Sequence, residues 1–282
     1  HSVKKRTFIM SETTTFRDRV DITIEETGIA RVRMNRPDKR NGLDWDLMRG
    51  LIEAAKSLRK RRDVRVVLLS GEGQAFCAGL DFASFTGEPA KMARGFTKYG
   101  IKRTNIFQEV AWCWRKLPVP VIAVIHGQCF GGGLQIALAA DFRIATPDSE
   151  LSVMEIKWGL IPDMTGSVTL RELLPMDQAK ELTLTGRVLS GTEAGAMNLV
   201  TRVSEEPAAE AEQLAAALIE RSPDAVAAGK KLFQITWCTD ETSAFDTESR
   251  LQFRLLGRAN QREAMNANFG KRKPQWRARR FD

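Results

Sequence analysis

The sequence is poor in the residues that most side-chain catalysis draws on: 282 residues contain 4 cysteines, 2 histidines and 1 tyrosine. Cys77, Cys113, Cys129 and Cys238 form no C-x-x-C pair. Their scatter argues against a zinc ribbon and a disulfide framework, so a reducing cytoplasm is the expected setting. Beyond His1 the only histidine is His126. A histidine-rich metal site is therefore excluded, no metal is expected, and any histidine-assisted Ser or Cys nucleophile would have to use His126. Acid–base chemistry must rest mainly on carboxylates. No apolar run approaches the ~18 residues of a membrane span, and the nearest, 119–125, is short and holds Pro120, so no membrane partner is expected.

Charge of one sign is also absent from the body of the chain. The 43 Lys and Arg against 35 Asp and Glu give +8, which taken alone suggests a nucleic-acid partner. Residues 1–10 hold +3 of this and residues 271–282 hold +5, which leaves 11–270 neutral. A basic groove on the folded body is thus not expected, and the basic ends read as solvated tails. The cluster KRKPQWRARR keeps one functional option, a phosphate contact through Lys271, Arg272 and Lys273. RNA binding by the tails would instead show steep salt dependence confined to them. Residues 1–19 are expected to be a disordered or leader segment, with a basic stretch before Met10 and no apolar core of a secretory signal.

What is present is globular: 43% apolar and 28% charged residues, enough for one large domain or two small ones. Residues 22–25 and 29–35 alternate around Thr27-Gly28 and predict a β-hairpin. Asp44 can cap a helix whose apolar positions Leu47, Leu51, Ala54, Ala55 and Leu58 fall at helical spacing. Residues 64–69 and 121–125 predict buried strands, 98–116 a long helix, 127–133 a glycine-rich loop opening a helix, and 142–145 and 151–153 short strands. Beyond residue 167 the pattern turns helical. The chain therefore reads as an α/β core followed by a helical region.

Three segments could carry chemistry. CAGLDF at 77–82 follows a buried strand, where glycine lets backbone approach a ligand; the plain alternative is a turn capped by Asp81. Gly131-Gly132-Gly133 opens a helix and strips Cβ atoms from the place where its first amides point outward. It matches neither G-x-G-x-x-G nor a P-loop, so the competing reading is tight helix–strand packing. In MEIKWGLIPD at 154–163, Glu155 and Asp163 stand eight residues apart in an irregular stretch, placed to converge on a cavity, although surface solvation is the ordinary fate of each. The apolar neighbours Val153, Met154 and Ile156 predict burial for Glu155, which raises a carboxylate's pKa and suits a base or acid.

In order and spacing, these segments resemble the crotonase family of enoyl-CoA hydratases and isomerases. The resemblance runs from about Val20 to Phe269 and is most specific in IAVIHGQCFGGGLQIALAADFRIAT at 122–146, with support in NRPDKRNGL, FCAGLDF, EIKWGLIPD and LTGRVLSGTEAGAMNLV. It implies an α/β fold, a spiral of β-β-α units over 20–205, and a C-terminal helical region over 206–282 that assembles homotrimers or hexamers. The implied substrate is an acyl-CoA thioester, with no separate cofactor and no nucleic acid. The Ala78 and Gly132 N–H groups are expected to form the oxyanion hole that stabilises a thioester enolate. Arg36, Lys39, Gly79, Leu80, Asp81 and Phe82 are expected to hold substrate or CoA.

Family hydratases carry two glutamates, and this chain has Gln135 at the first position and Glu155 at the second. A glutamine can orient water or substrate but cannot exchange a proton as a carboxylate does. Asp163 stands where dienoyl-CoA isomerases, and aryl-CoA dehalogenases that use it as nucleophile, carry a carboxylate. The expectation is therefore double-bond isomerisation of an enoyl- or dienoyl-CoA, with Glu155 and Asp163 moving protons and Gln135 in the site. Water addition positioned by Gln135 and Glu155 is the alternative. A CoA-binding homologue without turnover is a second alternative, and dehalogenation is disfavoured for want of a legible aromatic pocket.

Overall fold

Among the described residues, eleven strands form two sheets in the computed structural model, which describes residues 13–98 and 103–282. The larger sheet holds β1 (Thr13–Phe16), β2 (Val20–Ile24), β3 (Ile29–Met34), β4 (Val66–Gly71), β6 (Val121–Ile125), β8 (Phe142–Ala145) and β11 (Arg202–Val203), in that spatial order. The smaller has the order β10 (Leu189–Ser190), β9 (Glu150–Ser152), β7 (Gln128–Phe130), β5 (Ala75–Cys77). The first three strands pair antiparallel, and β3, β4, β6, β8 and β11 run parallel. After the hairpin the chain gives one strand to each sheet in turn, β4 then β5, β6 then β7, β8 then β9. Helical segments follow each pair, so the β-β-α spiral is realised.

The long helix α1 (Trp45–Lys60) starts where its cap dictates: Asp44 accepts from the Leu47 amide at 2.7 Å, and the positions at helical spacing are buried. The predicted helix over 98–116 is shorter. After α2 (Pro89–Gly95), α3 spans Ile106–Arg115, because Asn105 and Gln108 form a reciprocal capping box that ends the upstream pattern; residues 99–102 lie outside the described residues. Helix α4 (Gly132–Leu138) follows β7, so part of the expected glycine-rich loop is a strand. Then come α5 (Gly166–Leu173), α6 (Met176–Thr185), α7 (Gly191–Ala196), α8 (Pro207–Ile219), α9 (Pro223–Thr236), α10 (Glu241–Leu255) and α11 (Ala259–Phe269). No helix among the described residues is long and apolar enough to cross a membrane.

The central strands β4 and β6 of the larger sheet are apolar on both sides because both sides are covered. Val67, Leu69, Val121, Ala123 and Ile125 face the main core with α1, α3 and α4. Val66, Leu68, Ile122, Val124 and Ile144 face a second cluster closed by Ala211 and Ala215 of α8. Thus α8, within the segment assigned to a separate helical region, packs on the α/β core.

Two sequence expectations about the ends are corrected. Thr13–Phe16 pairs with β2, so that part of the presumed disordered or leader segment belongs to the sheet. The basic C-terminus is a docked strap as far as Asp282. Arg279 is buried and donates to the Arg61 carbonyl, Phe281 is buried beside Ala227, Ala228 and Leu251, and the Arg280 and Phe281 amides both donate to Asp224. The charge pattern concealed this because the partners are main-chain groups and one carboxylate distant in sequence. Of the three residues considered for phosphate contact, Arg272 is paired with Glu263, while Lys271 and Lys273 are exposed.

Candidate active site

Three connections, β5 to the short 3₁₀ turn Phe82–Phe85, β7 to α4, and β9 to the 3₁₀ turn Glu155–Trp158, open on one cavity of about 480 Å³. Its lining includes Gly79, Leu80, Phe82, Gly131, Gly132, Glu155 and Asp163. The three chemistry-bearing segments therefore meet, and the two carboxylates converge as their spacing suggested. His126 does not join them; its Nε2 lies 2.9 Å from the Gly73 carbonyl oxygen.

Each glycine of the triple run has its own cause. Gly131 has φ +50°, and a Cβ there would stand 3.3 Å from Glu155 Oε1. A Cβ on Gly132 would fall 2.7 Å from Met164 Sδ, at the cavity wall. On Gly133 it would fall 2.4 Å from the Cys77 carbonyl oxygen, so Gly133 serves helix–strand packing. Gly132 is the first residue of α4, where an N–H has no intrahelical acceptor.

The second expected amide donor is corrected. The Ala78 N–H donates to the Arg40 carbonyl at 3.0 Å and is spent. Two residues on, Leu43 N–H donates to the Gly79 carbonyl and Asp81 N–H donates to the Leu43 carbonyl, a parallel bridge centred on Leu80. Backbone groups alternate in direction along an extended chain, so the Leu80 N–H points away from Leu43. Among the described residues, neither the Leu80 nor the Gly132 amide has an acceptor. This shift is not legible in the sequence, because it depends on where residue 43 lies.

The loop around Leu80 is fixed by Arg36. This guanidinium, expected to meet CoA phosphate, instead pairs with Asp81 at 2.8 Å and Asp44 at 3.3 Å and donates to the Gly42 carbonyl. Asp81 also accepts from Ser84, and these partners hold its carboxyl below the ordinary range, the Ser84 hydrogen bond foremost. Buried Asn41 adds a support the sequence reading missed, donating to the Glu72 and Ala75 carbonyls. Lys39 is exposed.

Glu155 is fixed by Gln135, which is buried and does not line the cavity. Gln135 Nε2 donates to Glu155 Oε1 at 2.6 Å, and Gln135 Oε1 accepts from the Met164 and Gly166 amides at 2.8 Å each. Between those amides Thr165 sits at φ +77°, a strained conformation for a β-branched residue. Gly166 permits the approach, since a Cβ there would lie 2.8 Å from Gln135 Oε1. Glu155 Oε2 is buried without a hydrogen-bond partner among the described residues. Burial pushes the Glu155 carboxyl above its ordinary pKa, and the Asp163 charge adds to the rise against the Gln135 hydrogen bond. Burial also raises Asp163.

The comparisons agree with this architecture. A crystal structure of an enoyl-CoA hydratase from Bacillus anthracis superposes with a TM-score of 0.84 at 27% identity, covering 92% of this chain and 98% of that one. The fold is that of the crotonases. An enoyl-CoA hydratase of Mycobacterium tuberculosis is 31% identical over 250 residues, 88% of this chain and 92% of the relative. The mitochondrial Delta(3,5)-Delta(2,4)-dienoyl-CoA isomerase of Mus musculus is 31% identical over 219 residues, 75% and 67% of the two chains. The family model for enoyl-CoA hydratase/isomerase matches residues 24–279. This chain belongs to the enoyl-CoA hydratase/isomerase family.

Proposed function

We propose that the protein moves a carbon–carbon double bond along an acyl-CoA thioester by two proton transfers through an enolate. The thioester carbonyl lies against the Leu80 and Gly132 amides, which stabilise its oxygen as charge develops there; one such donor is typically worth about 3–4 kcal/mol of barrier. Ionised Glu155 takes the proton from the carbon beside the carbonyl through Oε2, the oxygen that Gln135 leaves free. Protonated Asp163 returns a proton to the far end of the conjugated enolate. Two carboxyls that burial holds back from ionising and that line one cavity suit a pair sharing one proton, which sits on Asp163 when Glu155 acts as base and passes back to it from Glu155 after turnover.

The observation that carries isomerisation over hydration is the state of Gln135. Family hydratases hold a glutamate there, whereas here the carbonyl oxygen accepts two amides, the amide nitrogen serves Glu155, and the residue is outside the cavity lining. Its oxygen therefore has no lone pair left to accept from a water in the cavity. Hydration is the second reading, favoured by the likeness to hydratases, and would need Asp163 to orient the water. Of the two cations expected to hold CoA, Arg36 is spent on Asp44 and Asp81, and exposed Lys39 is left to meet the phosphates. Large apolar side chains exposed on α9–α11, among them Phe233, Phe253 and Phe269, with Trp237 just past the end of α9, support the expected self-association into trimers or hexamers.

The test offers 2-enoyl-, 3-enoyl- and dienoyl-CoA and follows conjugated-thioester absorbance with product mass. An absorbance change at constant mass is expected, and a mass gain of one water would establish hydration instead. Asp163→Asn should stop bond migration by about 10²–10⁴-fold while leaving α-hydrogen exchange.

A further inference from the structure

We infer that the acyl group taken by this cavity is planar, conjugated and uncharged, of the polyenoyl class, because four of the aromatic rings in its wall brace one another in pairs and its described lining holds no cation. The inference rests on the acyl-CoA reading above and adds the shape and charge of the acyl part. Five rings line the cavity, from Phe82, Phe96, Phe107, Phe130 and Trp158. Phe82 and Trp158 pack at 4.4 Å between centroids and 37° between planes, and Phe96 and Phe107 at 4.8 Å and 38°. Trp45 backs Phe107 at 5.8 Å. Gly95 is what admits Phe107, since a Cβ there would fall 2.7 Å from the ring.

Rings held by other rings offer fixed faces and edges. A conjugated acyl group arrives already flat and meets them with few rotors to freeze, whereas a saturated chain of the same carbon skeleton must lose that freedom on binding. Three methionines in the same lining are adaptable fillers, so the wall selects for plane more than for length.

Charge selects further. Among the described residues the lining contains no lysine, arginine or histidine, and no hydroxyl or side-chain amide; beside the Trp158 indole its polar side chains are Glu155 and Asp163. A second carboxylate on the acyl group would be desolvated beside two acids without a counter-ion.

Calorimetric titration with trans-cinnamoyl-CoA, 3-phenylpropanoyl-CoA and glutaryl-CoA tests this, since the first two share a skeleton and differ in conjugation, and neither can undergo bond migration. Cinnamoyl-CoA should bind about tenfold more tightly than phenylpropanoyl-CoA, and glutaryl-CoA about tenfold more weakly than either. Trp158→Ala and Phe96→Ala, checked for folding by circular dichroism, should each shrink the first ratio. Equal affinities for the first two, or glutaryl-CoA binding as well as they do, would overturn the inference. Exchange of the α-hydrogens of 3-phenylpropanoyl-CoA in heavy water separates the two readings. Exchange without discrimination removes the acyl preference and keeps the enolate chemistry; discrimination without exchange supports the preference and removes the chemistry.

Discussion

Gln135 donates to Glu155 Oε1 at 2.6 Å while its own oxygen accepts the amides on either side of Thr165. One buried side chain thus fixes the orientation of a carboxylate and the strained turn that carries Asp163. Gln135→Met, which keeps length but removes the amide, should leave two buried N–H groups unpaired and cost about 2–4 kcal/mol in chemical denaturation. Gln135→Glu keeps an acceptor for those amides but sets a carboxyl against Glu155. Its fold should persist, and the acid limb of its kcat/KM profile should move to higher pH, because a hydrogen bond that lowers the Glu155 pKa has been replaced by a like charge. A purely structural glutamine would lower stability without moving that limb.

Glu155→Gln should separate activity from stability. Turnover should fall by about 10²–10⁴-fold. The sign of the stability change follows from the raised pKa: folded Glu155 holds its proton to higher pH than the unfolded chain does. Its neutral form favours folding below the ordinary carboxylate pKa, and that contribution is lost as pH rises through the folded value. At pH 7 the buried charge is a burden, so the variant should melt higher than the parent by about 2 °C or more. The difference should shrink as pH falls through the raised value. Melting curves at pH 7 and pH 4.5 measure both.

The C-terminal strap should be structural. Asp224 accepts from the Arg280 and Phe281 amides and from Asn260. Deleting residues 278–282 removes two of these partners and uncovers Ala227 and Ala228, and should cost about 3 kcal/mol or more. Truncation after Gly270 that left CoA affinity unchanged would remove the phosphate option for Lys271, Arg272 and Lys273.

Much of this was legible in the sequence where the cause is local. The strands Val121–Ile125 and Phe142–Ala145 were readable at both ends because their apolar runs are short, buried on both faces and sharply bounded. Asp44 announced α1, and the spacing of Glu155 and Asp163 announced their convergence. The rest depends on distant partners. The three-residue strands β5 and β7 hold too few positions to display alternation, and one of them lies in a stretch that reads as loop. Six basic residues near the C-terminus look solvated until Arg279 finds main-chain carbonyls far upstream. Arg36 looks like a phosphate ligand until Asp44 and Asp81 surround it. The aromatic wall is contributed by residues scattered from Phe82 to Trp158, which no single motif collects.

The most direct test exchanges single amides for esters, which removes one N–H and leaves every side chain in place. An ester at Leu80 should lower kcat by about 10²–10³-fold with little change in melting temperature. An ester at Ala78 should cost about 1 kcal/mol of stability, through the lost bond to Arg40, and leave kcat within a few-fold. If the Leu80 ester turns over normally, or the Ala78 ester is the one that loses catalysis, the enolate is not held where this account places it.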